Sequence, residues 1–257
     1  MKIAGTTFWI TGASGGIGAE LAAELHHRGG RIAISARRRE GLEAVSQGRM
    51  HVEPLDITDK AAVHAAVESV REALGGIDVA ILNAGTWQQV KIAGFDAESF
   101  RHTFDTNVMG TVHCIEALLP TMLADKSGVI CGMASVAGYR GLPGSEAYGA
   151  SKAALINLLE SLRGSLGPRG IGVQTISPGF VKTDLTARNK FPMPFMISAE
   201  KAARIIADGI AAEKTEIVFP LPMMLMMKAA RLVPNALWPK LFARTPMARG
   251  TSRTRKR

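Results

Sequence analysis

Short apolar runs alternate with longer stretches of helical periodicity over most of the chain. Residues 6–11 (TTFWIT), 31–36, 51–55, 79–82, 128–133, 172–176 and 217–219 read as strands. Between them, residues 20–28 place Leu21, Ala22 and Leu25 on one apolar side. Residues 59–74, 98–123, 147–166 and 199–212 likewise have helical length, the last preceded by Ser198 as an N-cap. Strand-like runs separated by helix-length segments predict a parallel sheet of about seven strands covered by helices.

Composition narrows this picture. With 257 residues, 47% of them apolar, the chain has enough material for one domain with a full core. No internal repeat or linker breaks it. The first strand begins almost at Met1, with no secretory signal in front, and no apolar stretch reaches the length of a membrane span, so a cytoplasmic protein is expected. Two cysteines, Cys114 and Cys131, sit in apolar segments; there is no CxxC and no HExxH, and no metal is expected.

The candidate chemistry begins after the first strand. Residues 12–18 (GASGGIG) form a glycine-rich turn between a strand and a helix. Gly12 and Gly16 permit close backbone approach, Gly18 lets helix and strand pack closely, and free N–H groups at the helix start attract a pyrophosphate. Thr11 is placed to tie the turn internally. The same residues spell G-x-S-x-G around Ser14, the signature of a hydrolase nucleophile elbow. That reading is disfavoured: the turn follows the first strand, and all six histidines lie in the first half of the chain.

A second constellation lies further on. Tyr148 and Lys152 are four residues apart in YGASK, with Ser135 thirteen residues before the tyrosine. On a helix this spacing stacks the two side chains on one face. An ammonium beside a phenol favours the phenolate, whose ordinary pKa of about 10 is too high for neutral-pH base chemistry.

Taken together, these motifs resemble the short-chain dehydrogenase/reductase family in its single-domain form of roughly 250 residues. The resemblance runs from about residue 6 to about residue 220. It rests on Thr11, Gly12, Gly16 and Gly18, on Asn83-Ala84-Gly85, on Asn107, Ser135, Tyr148 and Lys152, and on Pro178-Gly179 followed by Thr183. Leu82 departs from the pattern, since many relatives carry a second asparagine there. The resemblance implies a doubly wound Rossmann fold and a catalytic tetrad of Asn107, Ser135, Tyr148 and Lys152. In it Tyr148 acts as acid or base, Ser135 holds the carbonyl oxygen, Lys152 lowers the Tyr148 pKa and bonds the nicotinamide ribose, and Asn107 anchors a relay water. It further implies a dinucleotide site lined by Gly12, Ser14, Gly15, Gly16, Ile17, Gly18, Asp56, Ile57, Asn83, Gly85, Pro178, Gly179, Val181 and Thr183, together with Tyr148 and Lys152. A homodimer or homotetramer is also expected from it.

Cofactor choice is read at the end of the second strand, in SARRRE. A carboxylate there would suit an NAD ribose, whereas Arg37, nineteen residues past Gly18, suits the 2′-phosphate of NADP, with Arg38 as a weaker second contact. NADP(H) is therefore expected over NAD(H). The segments after Ser135 and Pro178 are mostly apolar; Trp87, Tyr139, Leu142, Pro143, Phe180 and residues 185–197 are candidates for the pocket wall. Among these, Tyr139, Leu142 and Phe180, with Ser135 and Tyr148, are the expected substrate contacts. An apolar ketone, aldehyde or alcohol is favoured over a sugar or a charged acid.

The C-terminal end carries all of the net charge. Residues 1–227 hold 22 basic and 22 acidic side chains, and residues 228–257 hold nine basic and no acidic ones. The dehydrogenase/reductase domain is assigned to residues 1–220, an apolar, Met-rich extension to residues 221–245 and a disordered basic tail to residues 246–257. Three uses of the extension stay open: a wall or lid over the substrate, contact with an anionic membrane surface, and packing between subunits. Nucleic-acid binding is not expected, since no recognition motif accompanies the charge. The competing functional reading is an NADP(H)-binding regulatory or membrane-associated module with little catalysis.

Overall fold

A computed structural model of the chain describes residues 1–90, 92–187, 189 and 191–242. The basic tail at 246–257, and the last residues of the Met-rich extension, lie outside them.

The strands are β1 (Thr7–Thr11), β2 (Arg31–Ala36), β3 (His51–Pro54), β4 (Val79–Leu82), β5 (Val129–Met133), β6 (Gly172–Pro178), the two-residue β7 (Val181–Lys182) and β8 (Ile197–Ser198), and β9 (Glu216–Phe219). All but β7 and β8 join one seven-stranded sheet in the order β3-β2-β1-β4-β5-β6-β9, every pairing parallel. The helices are α1 (Gly16–His27), α2 (Arg39–Ser46), α3 (Lys60–Leu74), α4 (Ala97–Phe104), α5 (Gly110–Asp125), α6 (Glu146–Leu166), α7 (Asp184–Ala187), α8 (Ala199–Ala211), α9 (Leu221–Ala230) and α10 (Trp238–Phe242).

The period-two geometry of a strand divides the core. Phe8, Ile10, Ile32, Ile34, Val79 and Ile81 pack on the face covered by α1 and α8. Trp9, Ala33, Ala80 and Leu82 pack on the opposite face, with α3, α5 and α6. Trp9 is fully buried, and its indole N–H is satisfied by Ser35 Oγ at 2.9 Å. Helix α6 sits close to the sheet because Gly132 has no side chain: a Cβ there would lie 2.4 Å from Leu159 Cδ1. The doubly wound fold is therefore present, and the strand order reverses between β1 and β4, which opens a crevice at their carboxyl ends.

Strand boundaries at 31–36 and 79–82 coincide with the sequence-based expectation, and the others move by one or two residues. The single helix expected over 98–123 is instead α4 and α5 joined by a π-helical turn at Asp105–Met109. Periodicity does not reveal such a turn, because one extra residue in a turn leaves the apolar spacing on either side intact. Helices α2 and α9 were not anticipated. The first is mainly polar and the second carries Pro222 and four methionines.

Candidate active site

The crevice between β1 and β4 continues into a cleft of about 1240 Å³. At one end lies the glycine turn. Thr11 does tie it internally, its Oγ1 accepting from Asn83 N and Ala84 N at 3.1 Å each. Asn83 Nδ2 donates to the carbonyls of Thr11 and Gly12, at 3.0 Å each. Gly12 takes φ 68° and passes so close to the next loop that a Cβ would lie 2.6 Å from Ala84 Cα. Beyond it, the N-cap of α1 is Gly15, which offers no side chain to the helix start and faces open space. The first N–H groups of α1 are thus left pointing into the cleft, an arrangement that accepts an anion.

Every residue expected to hold a dinucleotide lines this cleft, from Gly12, Ser14, Gly15, Gly16, Ile17 and Gly18 to Arg37, Asp56, Ile57, Asn83 and Gly85, and on to Pro178, Gly179, Val181 and Thr183. Thr183 closes against the turn, its Cγ2 lying 3.1 Å from where a Gly16 Cβ would be. Arg37 and Arg38 stand exposed at the rim. Burial raises the Asp56 carboxyl, but bonds from the Thr58 amide and hydroxyl, with Arg37 and His102 nearby, outweigh it and hold the group below its ordinary value.

Ser135, Tyr148 and Lys152, from two elements, come together in the lining of the same cleft. Ser135 follows β5 and caps the short 3₁₀ turn Val136–Gly138, its Oγ accepting from Ala137 N at 3.1 Å. Tyr148 and Lys152 share one face of α6, with Lys152 Nζ 5.6 Å from the phenol ring centre. The Lys152 ammonium donates to Met133 O at 2.7 Å, and burial pulls its pKa from 10.5 to about 8. Burial pushes the Tyr148 phenol up, while a hydrogen bond from Ser135 acts in the opposite direction. The expectation that Lys152 draws the phenol below its ordinary value is not met here, because loss of water around the phenol dominates and the ammonium is turned toward a backbone carbonyl.

Two expected site residues face elsewhere. Asn107, on the π-helical turn, is wholly buried and does not line the cleft. Its Oδ1 accepts from Thr86 N at 2.7 Å, and its Nδ2 donates to Thr86 O and to Ser151 Oγ at 3.0 Å each. Both amide hydrogens are therefore committed to protein partners. Tyr139, expected against the substrate, is turned away: its hydroxyl donates to Glu216 Oε1 at 2.5 Å and its ring packs with Val136, Met223 and Met227. An amphipathic tyrosine next to a half-buried carboxylate satisfies its hydroxyl there rather than in an apolar cleft.

The remaining wall is apolar. Leu142, Pro143 and Phe180 line it as expected, with Trp87, Leu185 and Phe191. Met223, Met226 and Met227 of α9 and Phe242 of α10 complete it, so the Met-rich extension reaches the cleft. Ser151, which holds Asn107, was missed although it sits inside YGASK; the available signal was its place between the tyrosine and the lysine. Among the described residues no three of His, Cys, Asp and Glu gather as metal ligands do, and no helix is long and apolar enough to cross a membrane.

A seven-stranded parallel sheet with a glycine turn at its switch point, and a Ser, Tyr and Lys facing it across one cleft, defines a nucleotide-dependent oxidoreductase architecture. Residues 6–192 match the family model for short chain dehydrogenases, and the chain belongs to that family. It is 38% identical over 238 residues to a Myxococcus xanthus protein described as an uncharacterized oxidoreductase, covering 90% of this chain and 94% of that one. A short chain dehydrogenase from Burkholderia cenocepacia, solved in complex with NADP, superposes with a TM-score of 0.83 at 26% identity, covering 94% and 99% of the two chains. A short chain dehydrogenase/reductase from Burkholderia phymatum, solved with NAD, has the same fold, with a TM-score of 0.80 at 23% identity over 89% and 93%.

Proposed function

We propose that this oxidoreductase interconverts an apolar carbonyl compound and its alcohol with NADP(H). The observation that carries the reading is that Ser135, Tyr148 and Lys152 line one cleft together with the glycine turn and an apolar wall. The residues present fit the cofactor: uncapped N–H groups of α1 suit the pyrophosphate, open space over Gly15 lets it approach, and Arg37 suits a 2′-phosphate. When bound, the nicotinamide supplies or accepts the hydride.

The side chains do the rest. Ser135 Oγ donates a hydrogen bond to the substrate oxygen and fixes its position. Tyr148 donates its proton to that oxygen in reduction and takes it back in oxidation. A phenol raised by burial stays protonated at neutral pH, which suits reduction. Lys152, still mostly charged at pH 7 with a pKa near 8, keeps an ammonium beside the phenol ring, where it suits a bond to the nicotinamide ribose. Asn107 is a positioning residue that pins Thr86 on the loop after β4 and Ser151 on α6. The apolar wall, from Leu142 and Phe180 to Met223 and Met227, selects a hydrophobic substrate. The protein is expected to work as a homodimer or homotetramer in the cytoplasm, and the cationic C-terminal segment also suits contact with an anionic membrane surface.

Oxidation of NADPH and NADH by the purified protein, measured across aliphatic, aromatic and polycyclic ketones, tests the proposal. NADPH-selective turnover that disappears in Tyr148→Phe is expected. Equal turnover in that variant would exclude the proposed acid.

A further inference from the structure

The loop after Ser135 has two faces. Its ends, at 135–137 and 142–145, line the cleft, whereas residues 138–141 between them do not. The middle faces the C-terminal segment and holds it at successive positions. Tyr139 donates to Glu216, whose other oxygen accepts from Lys228 of α9 at 2.7 Å, and the Arg231 guanidinium lies 5.8 Å from the Tyr139 ring centre. Arg140 Nη2 donates to Val233 O at 2.9 Å, and its guanidinium lies 5.3 Å from the ring centre of Trp238. Trp238 Nε1 returns a hydrogen bond to Gly141 O at 2.7 Å.

The far side of each grip is the cleft wall. Trp238 packs edge-on against Phe242 at 5.0 Å, and Phe242 lines the cleft. Met223 and Met227, next to the Tyr139 grip, line it as well. On the near side, the loop rests on the helix that carries the reactive pair: a Cβ at Gly138 would lie 2.7 Å from the carbonyl carbon of Lys152. Arg140 is committed to this contact, since among the described residues it forms no ion pair and its Nε is buried without a hydrogen-bond partner.

We propose that Arg140 and Trp238 form a clasp that closes the C-terminal segment against the loop after Ser135 and so sets which apolar substrates the cleft accepts. Neither side chain lines the cleft. They are specificity-determining through the wall they position, namely Leu142 on one side and Met223, Met226, Met227 and Phe242 on the other. The inference rests on the reductase reading for its substrate class, but the clasp is a property of the chain alone. A closed wall of flexible methionines fits a long apolar chain closely; an open one leaves that chain in water and contributes little to its binding.

The test uses the full chain with Arg140→Met, which keeps the length and apolar stem but removes the charge, and Trp238→Phe, which keeps a ring on Arg140 and Phe242 but removes the N–H. Hydrogen exchange over residues 221–242 is followed with and without NADPH, and kcat/KM is measured for 2-decanone and 2-butanone. NADPH affinity, read by fluorescence, confirms that each variant is folded. Faster exchange in that segment is expected, together with a fall of about tenfold in the decanone-to-butanone ratio, larger for Arg140→Met. An unchanged ratio overturns the proposal, whether or not exchange rises. If the parent protein turns over neither ketone, the reductase reading for such substrates fails separately, and unchanged exchange in both variants then overturns the clasp.

Discussion

The two ends of the cleft are built by different physics. The glycine end is made of backbone: Gly12, Gly15 and Gly16 turn it, Thr11 and Asn83 lock it, and its binding groups are the N–H donors of a helix start. The substrate end is made of side chains gathered from distant segments, with Leu142, Phe180, Met223 and Phe242 meeting across a hundred residues of sequence. A backbone cradle needs particular residues at particular spacings, because only glycine fits where Gly12 meets Ala84. A side-chain wall needs only apolar volume, which many sequences supply.

Where the two ends meet, the largest effect is expected. Tyr148→Phe should lower kcat by about a thousandfold while NADPH affinity, measured by fluorescence titration, stays within a factor of about two. Comparable losses in both would place Tyr148 in cofactor binding alone. At the glycine end, Gly12→Val forces a Cβ against Ala84 and a β-branched residue into φ 68°. A loss of about 3 kcal/mol in urea unfolding is expected, with NADPH binding abolished. Intact binding would mean that the turn can relax.

Lys152 sharpens the comparison through pH. Its pKa falls from 10.5 to about 8 on folding, so between those values the unfolded chain binds the proton and the folded chain does not. Stability should therefore rise with pH from about 8 to about 10.5, recovering up to about 3 kcal/mol, with the full cost present below pH 8. Lys152→Met should remove that slope in Tm or urea midpoints measured from pH 7 to 10. A variant curve parallel to that of the parent would show that the lysine is not the source.

Smaller effects are expected at the rims. Arg37→Ala should reduce the preference for NADPH over NADH by about thirtyfold in kcat/KM, the loss of one charge-assisted contact. No change would move the phosphate contact to Arg38. Lys228→Ala breaks an ion pair with Glu216 in which both side chains are about a third or more exposed. It should cost less than about 1 kcal/mol and leave NADPH binding untouched.

Much of this was legible in the chain before any coordinates. The strand runs at 31–36 and 79–82, the glycine turn and the Ser135, Tyr148 and Lys152 spacing are local patterns, and local patterns survive folding unchanged. Tyr139 shows the limit. It is four residues past Ser135 in an apolar stretch, and only the approach of β9 supplies Glu216 to take its hydroxyl away from the cleft. Asn107 is a similar case, since its amide partners, Thr86 and Ser151, come from a loop and a helix that periodicity does not bring together.

By itself the sequence determined the parallel sheet, the glycine turn and the placing of Tyr148 and Lys152 on one face of α6, because each follows from short-range spacing: period two in strands, the i, i+4 step in helices, and glycine where backbone must touch backbone. Tertiary structure alone decided which face of the loop after Ser135 looks into the cleft, where the Met-rich segment folds back, and in which direction burial shifts Tyr148 and Lys152. Those outcomes depend on contacts between residues up to a hundred positions apart and on the water that such contacts exclude, and neither is encoded in any local pattern.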